Sequence, residues 1–301
     1  MSLGSTATKL EPVDERPPFE ILESRTVARS AFVFASPHSG HDYRPEFLAA
    51  SRLDLAILRR SEDCFVDELF AAAPRHGAPL LRALFPRAFI DPNREAYELD
   101  PAMFDGPLPA HANISSPRVA GGLGTIAKVV ADGQEIYRSR LNYAEVEQRI
   151  EALYKPYHGA LDRLIDEALI QHRLAILVDC HSMPSIGGPM DQDRGRPRSD
   201  IILGDRYGTA CSGNLVRMGR QTLEAKGYRV TMNNPYAGGF CTTHYGRPGE
   251  GVHALQIEVN RALYMNEMQF QKAAGFTRVQ NDLTALIEML HAIAPAELIR
   301  G

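Results

Sequence analysis

The chain has 301 residues, 44% of them hydrophobic and 23% charged. That is enough apolar material for one large α/β domain or about two smaller ones, and it excludes disordered, collagen-like and coiled-coil chains. Lys plus Arg number 33 against 37 Asp plus Glu, a net charge of -4, which argues against a nucleic-acid binder; no apolar run is long enough to cross a membrane.

In chain order, residues 1–28 carry Pro12, Pro17 and Pro18 among charges and read as an extended N-terminal arm preceding a single domain at 29–301. The run Ala31 to Ser36 reads as a buried strand that delivers Pro37, His38, Ser39 and Gly40 as a turn. Helical spacing of Leu55, Leu58, Phe65, Val66, Leu69 and Phe70 predicts a helix from Leu53 to Ala73. Leu80 to Ile90 reads as a strand interrupted by Pro86 and ending at Asp91, and residues 97–134 form a long Pro- and Gly-rich loop. Asn142, with Glu145 three residues on, caps a helix to about Gln171 that Pro156 should kink or break. Leu174 to Val178 is the best central strand. It is followed by a Gly/Pro/Arg loop at 185–199, a short strand from Asp200 to Leu203 and a helix from Thr209 to Lys226. Strands at Tyr228 to Met232 and His253 to Val259 follow, then a last helix from about Phe270 to Ile293. This alternation predicts an α/β fold with a mostly parallel or mixed central sheet flanked by helices.

Four scattered cysteines form no CxxC pair, and the N-terminus shows no signal pattern, so a reducing cytoplasm is expected. There is no HExxH, GxSxG or phosphate-binding glycine motif.

Polar groups follow or end several apolar strands: His38, Asn93 with Arg94, Asp179 with His181, and Glu258. In α/β sheets, ligands gather outside the carboxyl ends of strands. His38 and His181 are the best-placed metal ligands, with Asp63, Glu62 or Asp42 as the accompanying carboxylate. Asp179 is either a buried carboxylate satisfied by backbone or a group that orients a ligating histidine. A carboxylate in an apolar strand, as Glu258 is, suits a general base beside a metal. The structural alternative pairs Glu258 with Arg261 or Arg247.

Eight short motifs, in this order, carry a family resemblance. They are SPHSG at 36–40, EDCFVDELF at 62–70, IDPNR at 90–94 and KPYH at 155–158, then VDCHSMPS at 178–185, DIILGD at 200–205, GGFCTTHYGRP at 238–248 and ALQIEVNRALYM at 254–265. Over about residues 32–266 the chain resembles the N-formylglutamate amidohydrolases, relatives of zinc carboxypeptidases and aspartoacylase-type deacylases. The resemblance implies a phosphorylase/hydrolase-like α/β fold and a metal-dependent amide hydrolase. It implies zinc, or another divalent metal, on His38, Asp63 and His181, and prefers Asp63 to Glu62. It makes Glu258 the general base. It gives Asn93 and Arg94 to a substrate carboxylate, which an Arg fork binds bidentately, and His244, with Arg94, to the oxyanion. Pro235 and Thr243 stand where the family usually carries Arg, and Asp205 where it tends to carry Thr. Arg247, Arg194, Arg196 or Arg198 are candidates to supply the missing charge. The expected partner is a small N-acyl amino acid, most simply N-formylglutamate, hydrolysed to formate and glutamate in the cytoplasm. A peptidase or amidase of the same fold, or a binding protein without catalysis, are the alternatives.

Overall fold

A computed structural model describes residues 17–130, 133–293 and 297–298. Residues 1–16 of the expected N-terminal arm lie outside the described residues. Seven strands form one mixed sheet: β1 (Phe19–Leu22), β2 (Phe32–Ser36), β3 (Leu80–Ala83), β4 (Ala175–Met183), β5 (Ile201–Gly204), β6 (Val230–Met232) and β7 (Val252–Asn260), in the order β1-β3-β2-β4-β7-β5-β6. The β2–β3, β2–β4, β4–β7 and β5–β6 pairs are parallel. The β1–β3 and β5–β7 pairs are antiparallel. The fold is thus α/β with a mixed sheet in a single domain.

The two central strands, β4 and β7, have nine residues each and are buried throughout, as befits strands covered on both faces. Alternation divides their side chains between two cores. Ile176, Val178, Cys180, Leu255, Ile257 and Val259 pack on one face, under helices α2 (Gly213–Ala225) and α4 (Phe276–His291). Ala175, Leu177 and Ala254 face the other, under helix α1 (Lys155–His172). Cys180 therefore lies in the apolar core, opposite Asp179 and His181.

Phe19–Leu22 of the expected arm form an edge strand of the sheet, the last helix starts at Phe276, and three further differences bear on the site. The helix expected from Leu53 to Ala73 is broken into Leu55–Leu58, a 3-10 turn at Arg59–Ser61 and Val66–Leu69. In the break, the Asp63 N–H donates to the His38 carbonyl at 3.0 Å, and Phe65 takes a left-handed φ of 65°. Contact with the His38 turn overrides the local helical period. The strand expected from Leu80 to Ile90 stops at Ala83, because the chain turns at Pro86, which has no N–H for a ladder. The central strand runs five residues beyond Val178, so Asp179 and His181 sit within it and not after it. The long helix is disturbed just before Pro156, where Ile150–Tyr154 form a π turn between Tyr143–Arg149 and α1. No helix among the described residues is long and apolar enough to cross a membrane.

Leu177 is fully buried between β4 and α1. Leu177→Ala should lower unfolding stability by about 2–5 kcal/mol, read as a lower urea midpoint with an unchanged slope.

Candidate active site

The carboxyl half of β4 and its neighbour β7 lay out a polar patch. Their parallel register sets Asp179 beside Gln256 and His181 beside Glu258. All four point to one face, because they are two residues apart along each strand. The turn after β2 brings His38 to the same place, and the break at residues 62–65 brings Asp63. A loop after β3 adds Asp91, Asn93 and Arg94.

Asp63 Oδ2 lies 3.0 Å from His181 Nδ1 and 3.3 Å from His38 Nδ1. The Nδ1 and carboxylate atoms of these three buried residues all lie within 4.8 Å of one another, so the group can hold a metal ion. The outer ring nitrogens are anchored separately. His38 Nε2 is 2.7 Å from Asp91 Oδ1, and His181 Nε2 is 2.8 Å from Asp179 Oδ1. Each carboxylate accepts from Nε2–H, so Nδ1 is the nitrogen that faces Asp63, with a lone pair for a metal ion or, without one, a proton shared with the Asp63 carboxylate. Two lone pairs then converge on a carboxylate oxygen, an arrangement that needs a cation or a proton at its centre. His38 Nδ1 is buried without a hydrogen-bond partner. A divalent metal fits this donor set, two imidazoles and one carboxylate oxygen, with room for a further ligand from the cleft.

The surrounding charges hold the carboxylates ionised. Burial opposes ionisation of Asp63, yet His181 and His38 keep it well below the usual carboxylate range. Its other oxygen, Oδ1, accepts from Arg261 Nη2 at 2.9 Å. Asp91 is likewise buried but held low by Arg87, whose Nη2 donates to Oδ2 at 2.7 Å, and by His38. Burial disfavours the His181 cation, but Asp179 and Asp63 outweigh it and raise its pKa well above the ordinary value. Glu258 behaves oppositely. Burial, aided by the negative charges of Asp63 and Asp179 and opposed by His181, pushes it up to about 7.

Above this cluster opens a cleft of about 600 Å³, lined by His38, Asn93, Arg94, His181, Gln256 and Glu258 at its base. Glu62 faces elsewhere: it pairs with Arg59 at 3.2 Å and accepts from Cys64 Sγ at 3.0 Å. Arg261 does not pair with Glu258; its guanidinium reaches Asp63, Ser182 and the Arg60 carbonyl. Gln256 Nε2 instead donates to Glu258 Oε1 at 2.9 Å.

Arg94 lies on the cleft wall, with Nε donating to the Leu123 carbonyl at 3.0 Å and Nη1 to the Asn93 carbonyl at 2.8 Å. Burial draws its pKa down to about 10, against Asp91 and with Arg118 and Arg87 adding to the decrease. The Asn93 side chain is engaged by protein: Oδ1 accepts from the Cys241 N–H at 2.8 Å and Nδ2 donates to Asp179 Oδ2 at 3.2 Å. Nδ2 also lies 2.9 Å from His181 Nε2, so the amide is engaged by protein groups in this geometry.

His244 and Arg247 are not brought to the cleft. Helix α3 (Phe240–Tyr245) starts at the cleft with Gly239 and carries His244 to its far end. There His244 is exposed and stacks on Phe240 with ring centroids 4.8 Å apart. Arg247 pairs with Glu250 at 2.7 Å. Five residues of helix separate His244 from Gly239, about 7.5 Å of axial rise. Arg198 is consumed by ion pairs with Asp191 and Asp193 at 2.6 and 2.8 Å, and Arg194 and Arg196 are exposed.

Several residues escaped sequence reasoning. Asp91 anchors His38, but it reads as a turn residue before Pro92. Gln256 touches Glu258, and its only signal is the two-residue spacing it shares with Asp179 and His181. Arg118 and Arg206 line the upper cleft, and nothing in their local sequence marks them.

Comparison with known proteins agrees with this geometry. The model of the N-formylglutamate amidohydrolase family matches residues 30–265. The chain is 30% identical over 210 residues to an N-formylglutamate deformylase of Pseudomonas putida, covering 69% of this chain and 72% of that protein. It is 27% identical over 243 residues to its namesake in Pseudomonas aeruginosa, covering 79% and 84%. The crystal structure of an N-formylglutamate amidohydrolase from Ralstonia eutropha superposes with a TM-score of 0.84 at 37% identity, covering 92% of this chain and 98% of that one. With the matched region spanning every strand from β2 to β7 and every residue of the His-Asp-His cluster, the chain belongs to the N-formylglutamate amidohydrolase family.

Proposed function

We propose that this protein hydrolyses the amide bond of an N-formyl amino acid, N-formylglutamate in the first instance, to formate and the free amino acid. One observation carries the reading: a buried His38–Asp63–His181 cluster stands beside a carboxylate of raised pKa, Glu258, on the adjacent strand. The names of the Pseudomonas and Ralstonia relatives support the choice of substrate. The same reading makes the enzyme cytoplasmic.

Zinc held by His38, Asp63 and His181 would acidify a water molecule and polarise the formyl carbonyl. Glu258 serves the proton. Gln256 occupies its Oε1, leaving Oε2 to take a proton from water and return it to the departing nitrogen. Asp91 and Asp179 keep both imidazoles in the tautomer that offers Nδ1 inward. Arg94, pinned through the carbonyls of Asn93 and Leu123, presents its remaining donors to the α-carboxylate of the substrate and to developing negative charge. A base placed beside a metal has no use in a pure binder, and this favours catalysis over the binding alternative.

Purified protein should contain about one zinc per chain by mass spectrometry and release formate from N-formylglutamate. His181→Ala should lose both metal and activity, and chelation should abolish activity until zinc is restored. Metal present without formate release would turn the search to other N-acyl amino acids.

Glu258→Gln should retain the metal and lower kcat/KM by about 10²–10⁴-fold. In the wild type, the base is competent only when ionised, so kcat/KM should rise with pH on an acid limb. Its midpoint should lie at or below about 7, because a nearby cation can only lower the pKa that burial has raised. That limb should vanish in the Gln variant.

A further inference from the structure

We infer that Arg206 reads the side-chain carboxylate of the substrate and so sets the preference for an acidic N-acyl amino acid; this rests on the function proposed above. A dicarboxylate needs a second cation besides Arg94, since a carboxylate closed into a site without one is costly.

Arg206 lies in the cleft lining, half-buried, on the loop that follows β5. No carboxylate pairs with its guanidinium among the described residues. Its one side-chain hydrogen bond is a long one, from Nη1 to the Gly238 carbonyl at 3.4 Å. The other basic groups nearby are occupied or differently placed. Arg198 is buried in its pairs with Asp191 and Asp193, and Arg94 is tied to two carbonyls. Arg118, from the short helix Pro117–Ala120, also lines the cleft but is exposed, a supporting charge at the rim.

The backbone under Arg206 is built at some cost. Arg206 and Tyr207 are consecutive non-glycine residues in the left-handed region, with φ of 54° and 57°, and Asn233 facing them has φ of 59°. Each such residue is disfavoured and persists only where its surroundings over-determine it. Here a side-chain bracket does so. Asn233 Nδ2 donates to Asp205 Oδ1 at 2.7 Å, and Asn233 Oδ1 accepts from the backbone N–H groups of Asp205 and Tyr207 at 3.1 and 3.4 Å. Asp205 Oδ1 also accepts from the Gly208 N–H at 3.0 Å, and the Arg206 N–H donates to the Ala237 carbonyl at 2.8 Å. Asp205 is thus the residue that closes the bracket. Gly238 has φ of 121°, and a Cβ there would meet Thr242 Cβ and Cγ2 at 2.9 Å and Arg206 Cδ at 3.0 Å, so only glycine fits against both side chains. A strained loop, locked from both sides, therefore carries one arginine without a carboxylate partner into the substrate cleft.

The test compares N-formylglutamate with its isostere N-formylglutamine, which differs only in the side-chain charge, on the zinc-loaded enzyme. Wild type should favour the acid by about 30-fold in kcat/KM, the worth of a charge-assisted hydrogen bond. In Arg206→Asn, chosen because Asn tolerates the left-handed region, that preference should fall to near unity. It should do so through N-formylglutamate alone, with N-formylglutamine kept within about threefold of wild type. Arg206→Lys, which keeps the charge, should retain an intermediate preference. An equal loss on both substrates in the Asn and Lys variants, or an unchanged preference, would overturn the assignment. Wild type that hydrolyses neither substrate would instead overturn the proposed function, and this inference with it.

Discussion

The Asp63 carboxylate, facing the Nδ1 atoms of two imidazoles whose Nε2 groups donate to other carboxylates, is the constraint on which the rest of the site depends. Asp91 and Asp179 hold the outer nitrogens of His38 and His181 at 2.7 and 2.8 Å. Both imidazoles are therefore turned inward through Nδ1, toward an ionised oxygen, at the buried base of the cleft. Such a set repels itself unless a cation completes it. The surrounding structure can be understood as supplying that geometry and offsetting its cost: Arg261 neutralises the outer oxygen of Asp63, and Arg87 does the same for Asp91.

The fold explains how such distant residues meet. His38 and Asp63 are joined by a backbone hydrogen bond across the broken helix, and β4 and β7 set His181 and Glu258 side by side. The same two strands send Cys180, Leu255, Ile257 and Val259 into an apolar core on their other face. One sheet thus serves as rigid support on one side and as the floor of the candidate site on the other. Rigidity matters here, because ligand atoms must be held to a few tenths of an ångström for a metal to bind in an ordered geometry. The upper cleft is different in kind. It is walled by loops, the 117–123 segment and the segments after β5 and β6. Substrate preference is free to vary there without disturbing the chemistry below.

Much of this was legible from residue order. Short apolar runs located β2, β4 and β7, and the polar groups at or beyond their ends marked His38, His181 and Glu258. Errors in the elements fell mainly where the site intrudes on local structure. The residues from Leu53 to Ala73 have a helical period, yet the chain leaves the helix at Asp63 to reach His38. His244 follows the paired glycines in sequence, but the helix it belongs to carries it away from the cleft.

By itself, the sequence determined the α/β class, the strands that form the core and the donor types available for a metal, because apolar periodicity and side-chain chemistry are local properties. Spacing left Asp63 and Glu62 open and only the family resemblance preferred Asp63, which the tertiary structure turns toward the histidines; the tertiary structure alone decided that Arg261 serves Asp63 and not Glu258, and that Asp91 is an anchor. It also decided that Arg206 lines the cleft with no carboxylate on its guanidinium among the described residues. Each of these is a choice among chemically equivalent groups, and only the direction of a side chain within a packed, register-locked sheet and its loops distinguishes them.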